Sequence, residues 1–117
     1  MSIRPDAVQL LDHMAEATEL ITHWTADRTL EGYLRDIYLR SAVERQFIII
    51  GEAMNLLREV EPSAENRISE YRSIISFRNV LVHEFFQVDD SRVWNTVKEH
   101  LPTLHGEVAE LIREYER

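Results

Sequence analysis

Apolar side chains recur at spacings of three and four along most of the chain, and no stretch alternates with the period of two that a half-buried strand requires. Val8, Leu11, Ala15 and Thr18, with Leu10, Met14 and Ile21, mark a broad face running to about Trp24, and Pro5 and Asp6 suit the start of that helix. Thr25-Ala26-Asp27 reads as a connection. A second helical pattern begins near Thr29 and continues to about Val60 with a bend near Asp36, and its seam is Leu39, Val43, Phe47, Ile50, Met54 and Leu57. On another side of the same helix Ser41, Arg45, Ile48, Glu52 and Asn55 form a mixed stripe that faces solvent, a second subunit or a cleft. Pro62-Ser63-Ala64-Glu65-Asn66 breaks the pattern as a loop. A third pattern spans about Glu70 to His83, and Gln87-Val88-Asp89-Asp90-Ser91 supplies a turn and cap before Val93, Trp94, Val97 and Leu101. Pro102 either kinks this helix or opens a new one, and Leu104, Val108, Leu111, Ile112 and Tyr115 carry the stripe to the C-terminus. The prediction is an all-α fold, an antiparallel bundle of four to five helices, forming one domain over residues 1–117 with no internal repeat.

The stretch Ile74-Ile75-Ser76-Phe77-Arg78-Asn79-Val80-Leu81-Val82-His83 is almost wholly apolar, yet it holds an arginine, an asparagine and a histidine. On a helix Tyr71, Ile74, Ile75, Arg78 and Val82 share one stripe, so Arg78 takes a place that the pattern reserves for an apolar residue. An arginine there either meets a carboxylate or lines a cleft. Asn79 and His83 share a face, whereas Arg78 and His83 stand roughly 140° apart around the axis. One helix aims both at a single small target only with difficulty; two copies crossing at a twofold axis would combine them. The apolar residues cover nearly the whole circumference, as in a helix packed by neighbours on most sides.

Thirteen basic against twenty-one acidic residues give a formal charge of −8, the wrong sign for a broad nucleic-acid-binding surface. Any RNA contact must therefore be local, and DNA binding is not expected. The absence of cysteine excludes disulfides and thiolate chemistry. The start, Met1-Ser2-Ile3-Arg4-Pro5-Asp6, lacks a signal-peptide hydrophobic region, and Phe47-Ile48-Ile49-Ile50 is too short to span a bilayer, so a cytoplasmic protein without a membrane segment is expected. None of His13, His23, His83, His100 or His105 has a carboxylate three residues before it, and neither His-Glu-x-x-His nor a glycine-rich phosphate loop occurs. No metal and no cofactor is expected. Gly51 lies inside the long helix, where it costs about 1 kcal/mol against alanine, and so marks close approach of another helix.

Several of these residues also have plain structural explanations. Glu52, after three isoleucines and a glycine, could be a partly buried carboxylate paired with Arg78. Arg45, two turns earlier on the same face, fits a simple surface role. Glu107, Glu110, Glu114 and Glu116, interleaved with Arg113 and Arg117, read as a solvated helix face, and Trp24 and Trp94 as core aromatics. A histidine ending a buried helix is either a capping or core group or a catalytic one.

Arg78-Asn79-Val80-Leu81-Val82-His83-Glu84-Phe85-Phe86-Gln87-Val88-Asp89 resembles the Arg-x4-His signature of the HEPN superfamily in the form found in HepT-like toxins. Ala42-Val43-Glu44-Arg45 through Ile49-Ile50-Gly51-Glu52-Ala53 resembles its second-helix motif, and Val93-Trp94 through Leu101-Pro102-Thr103-Leu104 its C-terminal part. The resemblance implies a HEPN-like homodimer with two such motifs in one cleft, a metal-independent endoribonuclease acting as the toxin of a type VII-like toxin-antitoxin system, and a minimal nucleotidyltransferase as antitoxin. His83 would be general acid and base, Arg78 would stabilise phosphoryl charge, and Asn79 would add a neutral hydrogen bond. Glu52, Arg45 and Phe85 would line or support the cleft. The family motif continues as Arg-x4-His-x-Tyr, whose tyrosine an antitoxin can adenylylate; here Phe85 stands at that position and offers no hydroxyl.

Two functions of different class therefore compete. One is the ribonuclease toxin, favoured by the complete Arg78, Asn79 and His83 set. The other is a catalytically weak dimer that binds a nucleotidyltransferase or a nucleotide in the same cleft, favoured by the −8 charge and Phe85. A purely structural helical dimer would leave Arg78 with no use beyond an ion pair.

Overall fold

A computed structural model describes residues 6–116, and their regular structure is entirely helical. The order is α1 (Ala7–Thr25), α2 (Leu30–Arg35), α3 (Ile37–Val60), α4 (Tyr71–His83), α5 (Asp90–Glu99) and α6 (Leu101–Tyr115), with 3-10 turns over Pro62–Arg67 and Phe85–Gln87. Five of these helices have ten residues or more, and the short α2 is the addition to the expected four or five. Among the described residues no helix is long and apolar enough to cross a membrane.

Side-chain chemistry sets the boundaries. Asp6 and Gln9 form a capping box, each side chain accepting from the other's backbone N–H at 2.8 and 3.0 Å; Pro5, the other expected start signal, lies outside the described residues. The bend expected near Asp36 is a break. Asp36 leaves helical geometry at φ −109°, ψ 95°, and its carboxylate accepts from Leu39 N–H at 3.0 Å while pairing with Arg28 at 3.1 Å. An aspartate outside the helix can satisfy an orphan N–H of the next helix, which a continuous helix would not need. Asp89 caps α5 in the same way. Pro102 opens α6 in its first turn, where its missing N–H costs nothing. The expected loop from Pro62 to Asn66 winds into a 3-10 turn whose Ala64 is buried.

The long α3 is the central helix, packed against α1, α4 and α2, and α6 packs on α1 and α5. Its whole predicted seam, Leu39 to Leu57, is buried, together with Leu10, Leu11, Met14 and Ile21 of α1 and Leu101, Leu104, Val108 and Leu111 of α6. Each such side chain stabilises the fold by roughly 1.5–3 kcal/mol through removal of apolar area from water. Trp24 and Trp94 are half-buried against this core, Trp94 lying 5.3 Å from the Tyr33 ring.

Two expectations are corrected. Packing on most sides does not hold for α4: only Leu81 is buried, and Ile74, Ile75, Phe77 and Val80 are half-covered. The acidic C-terminal segment is not simply a solvated face. Glu107 accepts from Ser69 N–H at 3.1–3.2 Å and from its hydroxyl, and Glu114 pairs with Arg67 at 2.6 Å, so α6 ties down the connection leading into α4. Arg117 lies outside the described residues.

Candidate functional site

α4 begins where Glu107 holds Ser69 and rests along α3. The contact is close because Gly51 has no side chain. A Cβ built there would stand 2.3 Å from Arg78 Cβ and 2.6 Å from Arg78 Cγ. The close approach expected at Gly51 is therefore present, and the group that approaches is the stem of Arg78 itself. With the stem held against backbone, the guanidinium emerges at the edge of the α3–α4 seam, where one terminal nitrogen donates to Asn79 Oδ1 at 3.0 Å and the other meets Glu52 at 3.4 Å. Its Nε is buried without a hydrogen-bond partner among the described residues.

The Arg78–Glu52 pair considered above exists, but its carboxylate is exposed rather than partly buried. The Glu52 side chain is 51% exposed against 22% for Arg78, so the pair is screened on its acidic side. Arg45 is exposed on α3 and, among the described residues, makes no hydrogen bond or ion pair with Glu52, Arg78 or His83. His83 lies at the last turn of α4 and is exposed, neither a core nor a capping group. It is not brought to Arg78: the two stay on different faces of one helix, whereas Asn79 is brought to Arg78 directly. Beyond α4, Phe85 and Phe86 stack on one another at 4.0 Å with 60% and 89% of their surface in solvent.

Two features were not legible from spacing. One is a groove of about 610 Å³ on the other flank of α4, between it and α5–α6. The other is a polar cluster at the junction of α2, α3 and α5. There Arg40 pairs with Asp90 at 3.5 Å, the fully buried Tyr33 has a hydroxyl without a partner among the described residues, and burial together with the nearby Asp90 holds the Glu44 carboxyl above its ordinary range. Burial, then Glu44 and Asp90, push the Tyr33 hydroxyl far up, so it stays protonated.

Fold and site together define an all-helical protein that displays an arginine, an amide and a histidine on one partly uncovered helix. A family profile described as Ribonuclease HepT-like matches residues 14–111, and the chain belongs to that family. It is 35% identical to "Probable ribonuclease HepT" of Thermococcus cleftensis over 86% of this chain and 91% of the relative. It is 31% identical to "Putative RNase MJ1380" of Methanocaldococcus jannaschii over 92% of this chain and 97% of the relative. Identity to "Gamma-glutamylcyclotransferase and putative RNase MJ0434" of the same archaeon is 30% over 98% of this chain, which spans about half, 51%, of that relative's length. No solved structure matches the chain significantly.

Proposed function

We propose that this protein is a metal-independent endoribonuclease, the toxin of a type VII-like pair with a minimal nucleotidyltransferase antitoxin, in which residues 1–117 act as one HEPN-type unit and two copies build the site. The carrying observation is the division of α4. Around its axis at ~100° per residue, Ile75, Asn79 and Val82 form a strip between Arg78 on one side and His83 on the other. Val82 is 38% exposed and Asn79 is exposed, so the strip is open to a partner. A second α4 laid across it about a twofold axis carries Arg78 of one copy toward His83 of the other, which a single helix cannot do.

Side chains alone supply the chemistry. A ribose 2′-hydroxyl attacks the adjacent phosphorus and the 5′ oxygen leaves. A neutral His83 imidazole takes the hydroxyl proton, and a protonated His83 from the second copy returns one to the leaving oxygen. Arg78, its stem fixed against Gly51 and its fork turned by Asn79 and Glu52, offers N–H donors to the negative charge that grows on the phosphoryl oxygens. The names of the relatives and the family support RNA as substrate.

A second reading, a weakly catalytic binding module for the nucleotidyltransferase or a nucleotide, is favoured by Phe85, which cannot accept an adenylate. Cleavage of RNA in the presence of EDTA by the parent, lost in His83→Ala and in Arg78→Lys while melting temperature holds, separates the two. Arg78→Lys keeps the stem over Gly51 and the charge but loses the fork. Variants that cut as well as the parent would leave only the binding module.

A further inference from the structure

Three features converge on the flank of α4 that faces α5 and α6, beside its contact with α3. The groove there is floored by Phe47 and Ile50 of α3, Phe77 and Val80 of α4, and Leu101 and Leu104 of α6, and its size falls in the range of small-ligand sites. Arg72 and Ser76 at its edge are followed on the same helix face by Asn79 and His83, at spacings of four, three and four, and all are exposed. Arg72 and Ser76 line the groove directly, so it is continuous with the strip that ends at His83.

Charge is the third feature. The three carboxylates lining the groove are held in place, Glu70 by His100 at 3.0 Å, Glu107 by Ser69 and Asp89 by the N–H groups of Ser91 and Arg92, the last two accepting from neutral donors and keeping their charge. Neither arginine of the lining makes an ion pair with these acids among the described residues. Arg72 donates from Nε to the Tyr71 hydroxyl at 2.9 Å, leaving its terminal nitrogens free, and the Arg92 side chain on α5 has no ion pair among the described residues. The nearby Glu65 is held by Arg58 at 3.1 Å. A chain of charge −8 thus presents two guanidinium groups, one from α4 and one from α5, around an aromatic-floored slot.

We propose that this groove is a base-binding subsite for single-stranded RNA, in which an unstacked base lies against Phe77 while Arg72 and Arg92 hold flanking phosphates and so place the strand along α4 toward His83. Unstacked bases on aromatic rings with arginines on the backbone are how single strands are held. Arg72 stands eleven residues before His83, about 16 Å along the helix, so it contacts the strand some nucleotides away from the cleaved bond. Arg72 and Arg92 are positioning residues. The proposal rests on the ribonuclease reading, and its test is separable from it.

Labelled single-stranded RNA is titrated at several salt concentrations with His83→Ala protein, which keeps the RNA intact, and with the same protein carrying Arg72→Ala and Arg92→Ala. Both arginines are exposed, so the variant folds. The slope of log K against log salt should shallow by about 1.4 in the double variant, 0.7 for each lost phosphate contact. An oligonucleotide of abasic sugar-phosphate should bind the His83→Ala protein more weakly than normal RNA. Equal slopes, or equal binding of abasic and normal strands, would overturn the subsite, even if the parent cleaves RNA. Binding with the expected slopes by a parent that does not cleave would keep the subsite and remove the ribonuclease. Loss of nucleotidyltransferase binding with RNA binding unchanged would assign the groove to the protein partner instead.

Discussion

Replacing Gly51 by alanine sets two effects of opposite sign against each other. In an ordinary helix interior the change stabilises by about 1 kcal/mol, because alanine loses less backbone entropy on folding. Here the added Cβ would lie 2.3 Å from Arg78 Cβ and 2.6 Å from Arg78 Cγ, and 3.5 Å from the Ile74 carbonyl oxygen. The first of these atoms is fixed to the α4 backbone, so no change of rotamer relieves the overlap, and α4 must retreat from α3 by about 1 Å. Overpacking of this kind costs about 1–3 kcal/mol, and an overlap anchored in backbone belongs at the upper end. The net expectation is a loss of about 2 kcal/mol, a fall of about 8 °C in melting temperature for a chain of this size. The displaced helix also moves the Arg78 fork, and a misplacement of that order can cost about a hundredfold in turnover. Thermal unfolding followed by circular dichroism, with RNA cleavage measured well below the transition, reads both effects. A melting temperature equal to or above that of the parent would refute the contact, since alanine would then have delivered its helix preference unopposed.

Glu44→Gln tests the cluster at the α2–α5 junction: burial first and Asp90 second hold this carboxyl above its ordinary value of 4.5, with Arg40 partly opposing, so folding favours its protonated form. Its contribution is fully present below that ordinary value and lost as pH rises through the raised folded value, so the glutamine variant should gain in melting temperature on the parent above pH 4.5 and not below; a difference independent of pH would contradict this. Phe85→Tyr puts a hydroxyl on a ring that is 60% exposed, and mass spectrometry after incubation with an adenylylating nucleotidyltransferase should show an adenylate adduct on the variant alone; an adduct on the parent would place the modified residue elsewhere. Sedimentation at micromolar concentration should give a dimer, and Val82→Glu, on the open strip of α4, should give a folded monomer whose melting temperature no longer depends on protein concentration; a parent that sediments as a monomer would remove the two-copy site.

Local chemistry made much of this protein legible from its residues. The six-residue seam of α3 was readable because burial on one side of a helix repeats with the helical period, and the breaks at Asp36, Asp89 and Pro102 because capping and proline act within a turn of their own position. Arg78, Asn79 and His83 stood out because polar groups in an apolar run carry a desolvation cost that needs a reason. Gly51 showed that something approached, but only the packing of α4 on α3 decided that it was the stem of Arg78. The hold of Glu107 on Ser69 spans thirty-eight positions, and no periodic pattern encodes a contact at that separation. The apolar circumference of α4 was a true property of its sequence, yet composition cannot say which neighbours cover which face. Tertiary packing covers one face with α3 and leaves the flank between α3 and α5–α6 as a groove, so the same side chains that suggested a buried core helix serve as the floor of an open slot.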